Sequence, residues 1–248
     1  MNSFNPVTFP SADGQAELEA VWYLPTRRAT NGAVIVLPGA SNNKDKPPLP
    51  ALCEGAAALG LTALRLRFRY SEAAASEDGS QELDDLVGAY NFLQSFGKEI
   101  KPKRYYVIGK SLGGHRALLA TSQSGPLAGV IMGVAALGLP LHHRKYREFE
   151  DTAYLQNLTC PVLIVNGEYD QLAPTQELSL LVTNLPVPAR LEIIEKAEHN
   201  FDYVPGEAET PLTAEEETAR HAANLQQVVE ITLAWLEEQD KIRENLRK

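Results

Sequence analysis

The chain has 248 residues, 32 acidic and 23 basic side chains, and a formal net charge of −9. A phosphate-binding surface needs an excess of Lys and Arg, so this balance argues against nucleic acid as a partner. A hydrophobic share of 44% and a charged share of 22% are those of an ordinary globular protein and exclude disordered, coiled-coil and collagenous chains.

In chain order, residues 7–9 and 17–24 flank Ser11-Ala12-Asp13-Gly14 and are predicted to form an antiparallel hairpin at a sheet edge. Five short apolar runs follow, at residues 33–37, 62–68, 105–108, 130–135 and 162–165. Runs that are apolar at successive positions suit strands covered on both faces, as in a parallel sheet. Helical patterns occupy residues 49–58, 81–96, 112–122 and 174–183, and a further strand is predicted at 190–194. Thr213 and Glu216 form a capping-box pattern at the start of a last helix. That helix carries Leu225, Val228, Val229, Thr232, Trp235 and Leu236 on one face. The alternation predicts an α/β fold with a doubly wound, mostly parallel sheet, right-handed crossovers and an N-terminal antiparallel edge hairpin. No linker or repeat divides the chain, so residues 1–248 are expected to form one domain.

Met1 to Pro10 lacks the basic and apolar regions of a secretory signal. The longest apolar run, 128–141, is broken by glycines and Pro140 and falls short of the ~20 residues of a membrane span. Cys53 and Cys160 lack metal-type spacing and read as reduced core thiols. The expectation is a cytoplasmic protein without a membrane partner.

The most informative stretch is Tyr105-Tyr106-Val107-Ile108-Gly109-Lys110-Ser111-Leu112-Gly113-Gly114, which places Gly-x-Ser-x-Gly between a strand pattern and a helix pattern. By chance this pattern arises roughly 0.05 times in a chain of this composition, before any demand for context. In a nucleophile elbow the serine sits in a strained strand-to-helix turn, and Gly109 and Gly113 are small because a tight turn leaves no room for side chains. A serine nucleophile needs a base and an orienting acid, which follow it in the order acid, then His. Asp170 lies beyond the strand at 162–165 and His199 beyond the strand at 190–194, at the sheet's carboxyl end, where open α/β sheets gather their sites. Glu168 and Asp202 are rival acids. His115, His142 and His143 are rival bases upstream, and His221 is a rival on the last helix. His142 follows the strand at 130–135 and is also a candidate substrate contact. Leu112, after the nucleophile, and Ala40, after the first parallel strand, are the predicted backbone donors of an oxyanion hole, with Gly39 allowing close approach.

Arg65, Arg67 and Arg69 alternate with Leu64, Leu66 and Phe68. Arginines on a buried strand are expensive unless paired, with Glu72, Glu82, Asp84 and Asp85 as nearby partners. Two readings stand. Arg69 and Lys110 select an anionic acyl group, or the arginines form ion pairs that pin the adjacent loop. Residues 141–160 are too few for a separate cap, so a small or exposed ester fits better than a long apolar one.

Leu37 to Ala40, Gly109 to Gly114 and Leu137-Gly138-Leu139-Pro140 carry a family resemblance. Over nearly its full length the chain resembles the α/β-hydrolase superfamily, and within it the small dienelactone-hydrolase-related, testis-expressed-protein-like group. The resemblance implies a Ser111, Asp170, His199 triad and a serine-hydrolase or esterase-like activity. The leading expectation from the elbow and the ordered triad is hydrolysis of a small-molecule ester or thioester through an acyl-serine, with no metal and no cofactor. A non-catalytic interaction module, and an acyltransferase or peptidase built on the same triad, are the competing classes.

Overall fold

The computed structural model describes residues 4–26, 29–70, 75–76, 78–97, 101–142, 152–205 and 212–245. Strands β1 (Phe4–Pro10) and β2 (Glu17–Tyr23) form the N-terminal hairpin. The strands that follow are β3 (Gly32–Leu37), β4 (Thr62–Leu66), β5 (Arg104–Lys110), β6 (Ile131–Leu137), β7 (Val162–Gly167) and β8 (Ala189–Ile194). They join the hairpin in one sheet of order β1-β2-β4-β3-β5-β6-β7-β8. β2 runs antiparallel to β1 and β4, and β3 to β8 are mutually parallel. Every residue of β3, β4, β5 and β7 is buried, which is why these segments read as mainly apolar runs, with Arg65 the charged residue inside β4 and Arg104 and Lys110 at the ends of β5.

Helices cover both faces. Leu49, Leu52 and Ala56 of α1 (Leu49–Ala58) join Val228, Trp235 and Leu236 of α5 (Ala214–Asn245) in one core layer against Val34, Val36, Tyr106 and Ile108. On the other face pack Leu86 and Leu93 of α2 (Ser80–Gln94), Ala117 and Leu118 of α3 (Leu112–Thr121), and Leu178 of α4 (Thr175–Thr183). The predicted capping box forms: Thr213 donates its N–H and hydroxyl to Glu216 Oε2, and the Glu216 N–H donates back to Thr213 Oγ1. A buried ion pair fastens α5 to β5. Arg104 Nε and Nη2 donate to Asp240 at 2.7 and 3.0 Å, and the Tyr106 hydroxyl donates to the same carboxylate. Among the described residues, one short 3-10 helix, Ala153–Asn157, lies between β6 and β7, and no large cap covers the sheet. Among the described residues no helix is long and apolar enough to cross a membrane.

β4 stops at Leu66, two residues before its expected end. There the Phe68 N–H leaves the ladder to donate to Asn42 Oδ1 at 2.9 Å. β5 continues past Ile108 because Gly109 and Lys110 pair with Ala136 and Leu137 of β6.

Candidate active site

The chain turns sharply from β5 into α3 at Ser111, whose φ of 50° and ψ of −117° place a non-glycine residue in a sparsely populated region. Space around that turn is exhausted. A Cβ on Gly109 would lie 2.3 Å from the Gly113 carbonyl group, and one on Gly113 would lie 2.4 Å from the Pro38 oxygen. Both positions therefore require glycine, and the second presses the start of α3 against the turn after β3. The first N–H groups of α3 have no intrahelical acceptor, and together with the helix dipole they favour negative charge beside Ser111.

Asp170 follows β7 and His199 follows β8. The two loops are laced together: Glu168 N donates to Ile194 O at 3.0 Å and Tyr169 N to Ala197 O at 2.8 Å. The Asp170 carboxylate is fully buried. Its Oδ1 accepts from the Leu172 N–H at 2.9 Å, and its Oδ2 lies 2.8 Å from His199 Nδ1. His199 Nε2 stands 2.9 Å from Ser111 Oγ. A carboxylate accepts only, which assigns the imidazole proton to Nδ1 and leaves Nε2 to accept from the serine hydroxyl. Such a chain of contacts can take a proton from Ser111 and hold the resulting imidazolium against Asp170.

Ser111, His199 and Asp170 line one end of a cavity of about 610 Å³, within the size range of small-molecule sites. Ala40 and Gly39 line it from the β3 side, and a Cβ on Gly39 would come 3.4 Å from Ser111 Cβ. His142 also lines the cavity, with Nε2 2.7 Å from Glu177 Oε2.

The rival residues sit elsewhere. Glu168 accepts from the Lys196 N–H at 2.9 Å, Asp202 pairs with His221 at 3.0 Å, and His115 packs edge-on against Tyr154. His143 and Glu72 lie outside the described residues. Arg69 departs from its expected place as a substrate contact. Its guanidinium bonds to Asp85 at 2.6 Å and to Asp13 at 2.7 Å, and it does not line the cavity. Its hydrogen bonds to the Asp13 and Asp85 carboxylates hold it charged, raising its pKa further. Arg65 pairs with Asp45 and Arg67 with Glu19, while Glu82 takes Arg116 instead. The arginine run is thus engaged in ion pairs, Arg65 and Arg69 tying the loops at Asp45 and Asp13.

One residue with a clear role escapes sequence reasoning. Asn42, buried with φ 51°, donates through Nδ2 to Phe68 O at 2.8 Å and Tyr70 O at 2.5 Å while accepting from Phe68 N. It also closes a turn on Gly39 through its own N–H, fixing the loop that carries Ala40. The one available signal was an Asn two positions after Ala40, a residue type that tolerates left-handed backbone.

The strand order and the serine-bearing turn define an α/β-hydrolase fold. The chain belongs to the α/β-hydrolase domain family, whose model matches residues 30–230. No curated protein matches it. Among solved structures it is similar to a dienelactone hydrolase from Anabaena variabilis at 20% identity, covering 96% of this chain and 98% of that one with a TM-score of 0.69. Est1E from Butyrivibrio proteoclasticus, determined with ferulic acid bound, is 16% identical over 94% of this chain and 99% of that one, TM-score 0.71. A lidless α/β serine hydrolase from Xanthomonas campestris is 19% identical over 80% and 86%, TM-score 0.62.

Proposed function

We propose that the protein is a serine hydrolase that cleaves a small carboxylic ester or thioester through an acyl-Ser111 intermediate, and that the whole chain forms one hydrolase domain. Ser111 Oγ attacks the acyl carbon as His199 Nε2 takes its proton. The imidazolium then returns that proton to the leaving group, and a water activated by the same imidazole releases the acid. Asp170 holds the tautomer and stabilises the imidazolium, and the Leu112 and Ala40 N–H groups receive the developing oxyanion. The observation that carries this reading is the continuous contact chain, 2.9 Å from Ser111 to His199 and 2.8 Å from His199 to Asp170. The absence of a large cap among the described residues and the size of the cavity support a short, exposed acyl group. Two buried, free cysteines support a cytoplasmic setting.

Labelling with a fluorophosphonate probe tests the reading. Wild type is expected to form a covalent adduct that Ser111→Ala loses, and equal labelling of the two proteins would remove Ser111 from the role. A panel of p-nitrophenyl esters is expected to show falling kcat/KM as the acyl chain lengthens.

A further inference from the structure

Lys110 precedes Ser111 and lines the cavity, yet its amine is taken up by the protein itself. Alternation along β5 puts it on the face of Tyr106 and Ile108, within the core layer that also holds Phe201. Lys110 Nζ donates to the backbone oxygen of His199 at 2.6 Å and lies 5.2 Å from the centre of the Phe201 ring. Gly138 closes the remaining side. A Cβ there would fall 2.9 Å from Lys110 Nζ, 3.0 Å from His199 O and 3.4 Å from His199 Cε1. With 6% of its surface exposed, the residue holds its amine in a slot formed by the His199 loop, Phe201 and Gly138.

We propose that Lys110 is a positioning residue. Its ammonium ties the His199 loop to the nucleophile turn, which sets the imidazole's distance from Ser111 Oγ, and its positive charge opposes protonation of that imidazole. The inference rests on the Ser111–His199–Asp170 reading and reassigns Lys110 from the anion-binding role its sequence position suggested. Four other charged groups face the amine: Asp170 from the β7 loop, Glu198 and Asp202 beside His199, and Lys46 from the β3–α1 loop. His142 lines the same cavity. Burial dominates and pulls the Lys110 pKa down to about 7, with Asp170 the strongest opposing influence. The amine is therefore mostly charged over the acid range in which a histidine base, of ordinary pKa about 6.5, loses its function.

The test is the second-order rate of fluorophosphonate labelling as a function of pH, on wild type, Lys110→Met and Gly138→Ala, each checked for folding by circular dichroism. Loss of the tie misplaces the base, and displacements of about 1 Å cost roughly 10- to 100-fold in rate. Lys110→Met is expected to label slower by that factor, with its acid limb moved to higher pH because the opposing charge is gone. Gly138→Ala keeps the amine but crowds a methyl against both it and the His199 carbonyl and strains a backbone with φ of 60°, so it too is expected to label slowly. A Lys110→Met protein with the wild-type rate overturns the proposal. So does a slowed one whose acid limb stays in place, because packing alone then explains it. If Lys110→Met does not fold, Gly138→Ala decides, and wild-type labelling by that variant overturns the proposal. Wild type that fails to label removes the triad reading itself, an outcome distinct from normal wild-type labelling with unaffected variants.

Discussion

Replacing Asn42 with Ala removes a side chain that touches no substrate yet fixes the loop carrying Ala40. Three buried hydrogen bonds disappear, leaving the Phe68 N–H and the Phe68 and Tyr70 carbonyls without that partner. At a net ~1 kcal/mol for each bond, and a further ~1 kcal/mol for forcing Ala into a left-handed backbone, the loss is about 4 kcal/mol. The φ of 51° is what brings in the backbone contribution. For a chain of this size each kcal/mol moves Tm by roughly 2–4 °C, so the variant is expected to melt roughly 8–16 °C below wild type. Asn42→Gly accepts the same φ and is expected to recover the backbone part, about 1 kcal/mol, but not the hydrogen bonds. Differential scanning calorimetry on the three proteins measures both differences, and ester turnover is expected to fall through kcat as the Ala40 loop loosens. Melting of Asn42→Ala within about 2 °C of wild type would refute the reasoning, because lost hydrogen bonds of this kind cannot be that cheap.

Asp240→Ala leaves the Arg104 guanidinium buried beneath α5 with the Thr30 carbonyl as its remaining hydrogen-bond partner among the described residues, and breaking such a pair costs about 3–5 kcal/mol. Chemical denaturation is expected to show that loss with little change in Ser111 labelling of the folded fraction. Lys110 makes stability pH-dependent with a defined sign. Its pKa falls from an ordinary 10.5 to about 7 on folding, so between those values the unfolded chain binds the extra proton and stability rises with pH. Lys110→Met is expected to lose that rise, as a urea-denaturation series across the range would measure. Asp13 gives the same sign over a more acidic range. Its hydrogen bond from Arg69 holds the carboxyl well below the usual range, so its contribution is present above the ordinary carboxylate pKa and fades as pH falls toward the depressed folded value. The Tm difference between wild type and Asp13→Asn is expected to shrink on acidification, and a constant difference contradicts the pairing.

Much of the architecture was legible because it is written locally. Fully buried strands left mainly apolar runs, the Ser11-to-Gly14 turn marked the hairpin, and Thr213 with Glu216 marked the start of α5. The order of Ser111, Asp170 and His199 along the chain was legible too, and the structure brings those three side chains into contact. What remained hidden depends on partners distant in sequence. Arg69 finds Asp13 in the hairpin turn, 56 positions away, and Asn42 bridges 26 positions to Phe68 and thereby shortens β4. Lys110 is an intermediate case. Adjacency to Ser111 suggested a role facing substrate, whereas the strand alternation that already placed Tyr106 and Ile108 in the core pointed its side chain toward Phe201.

The central claim is that Ser111 is a nucleophile activated by His199. Intact-protein mass spectrometry after fluorophosphonate treatment, with the adduct mapped by peptide sequencing, tests it most directly. The account predicts one phosphonyl group on Ser111 of the wild type, absent in Ser111→Ala and strongly slowed in His199→Ala. A folded wild-type protein that takes up no label, or one that takes it up at another residue, contradicts the account.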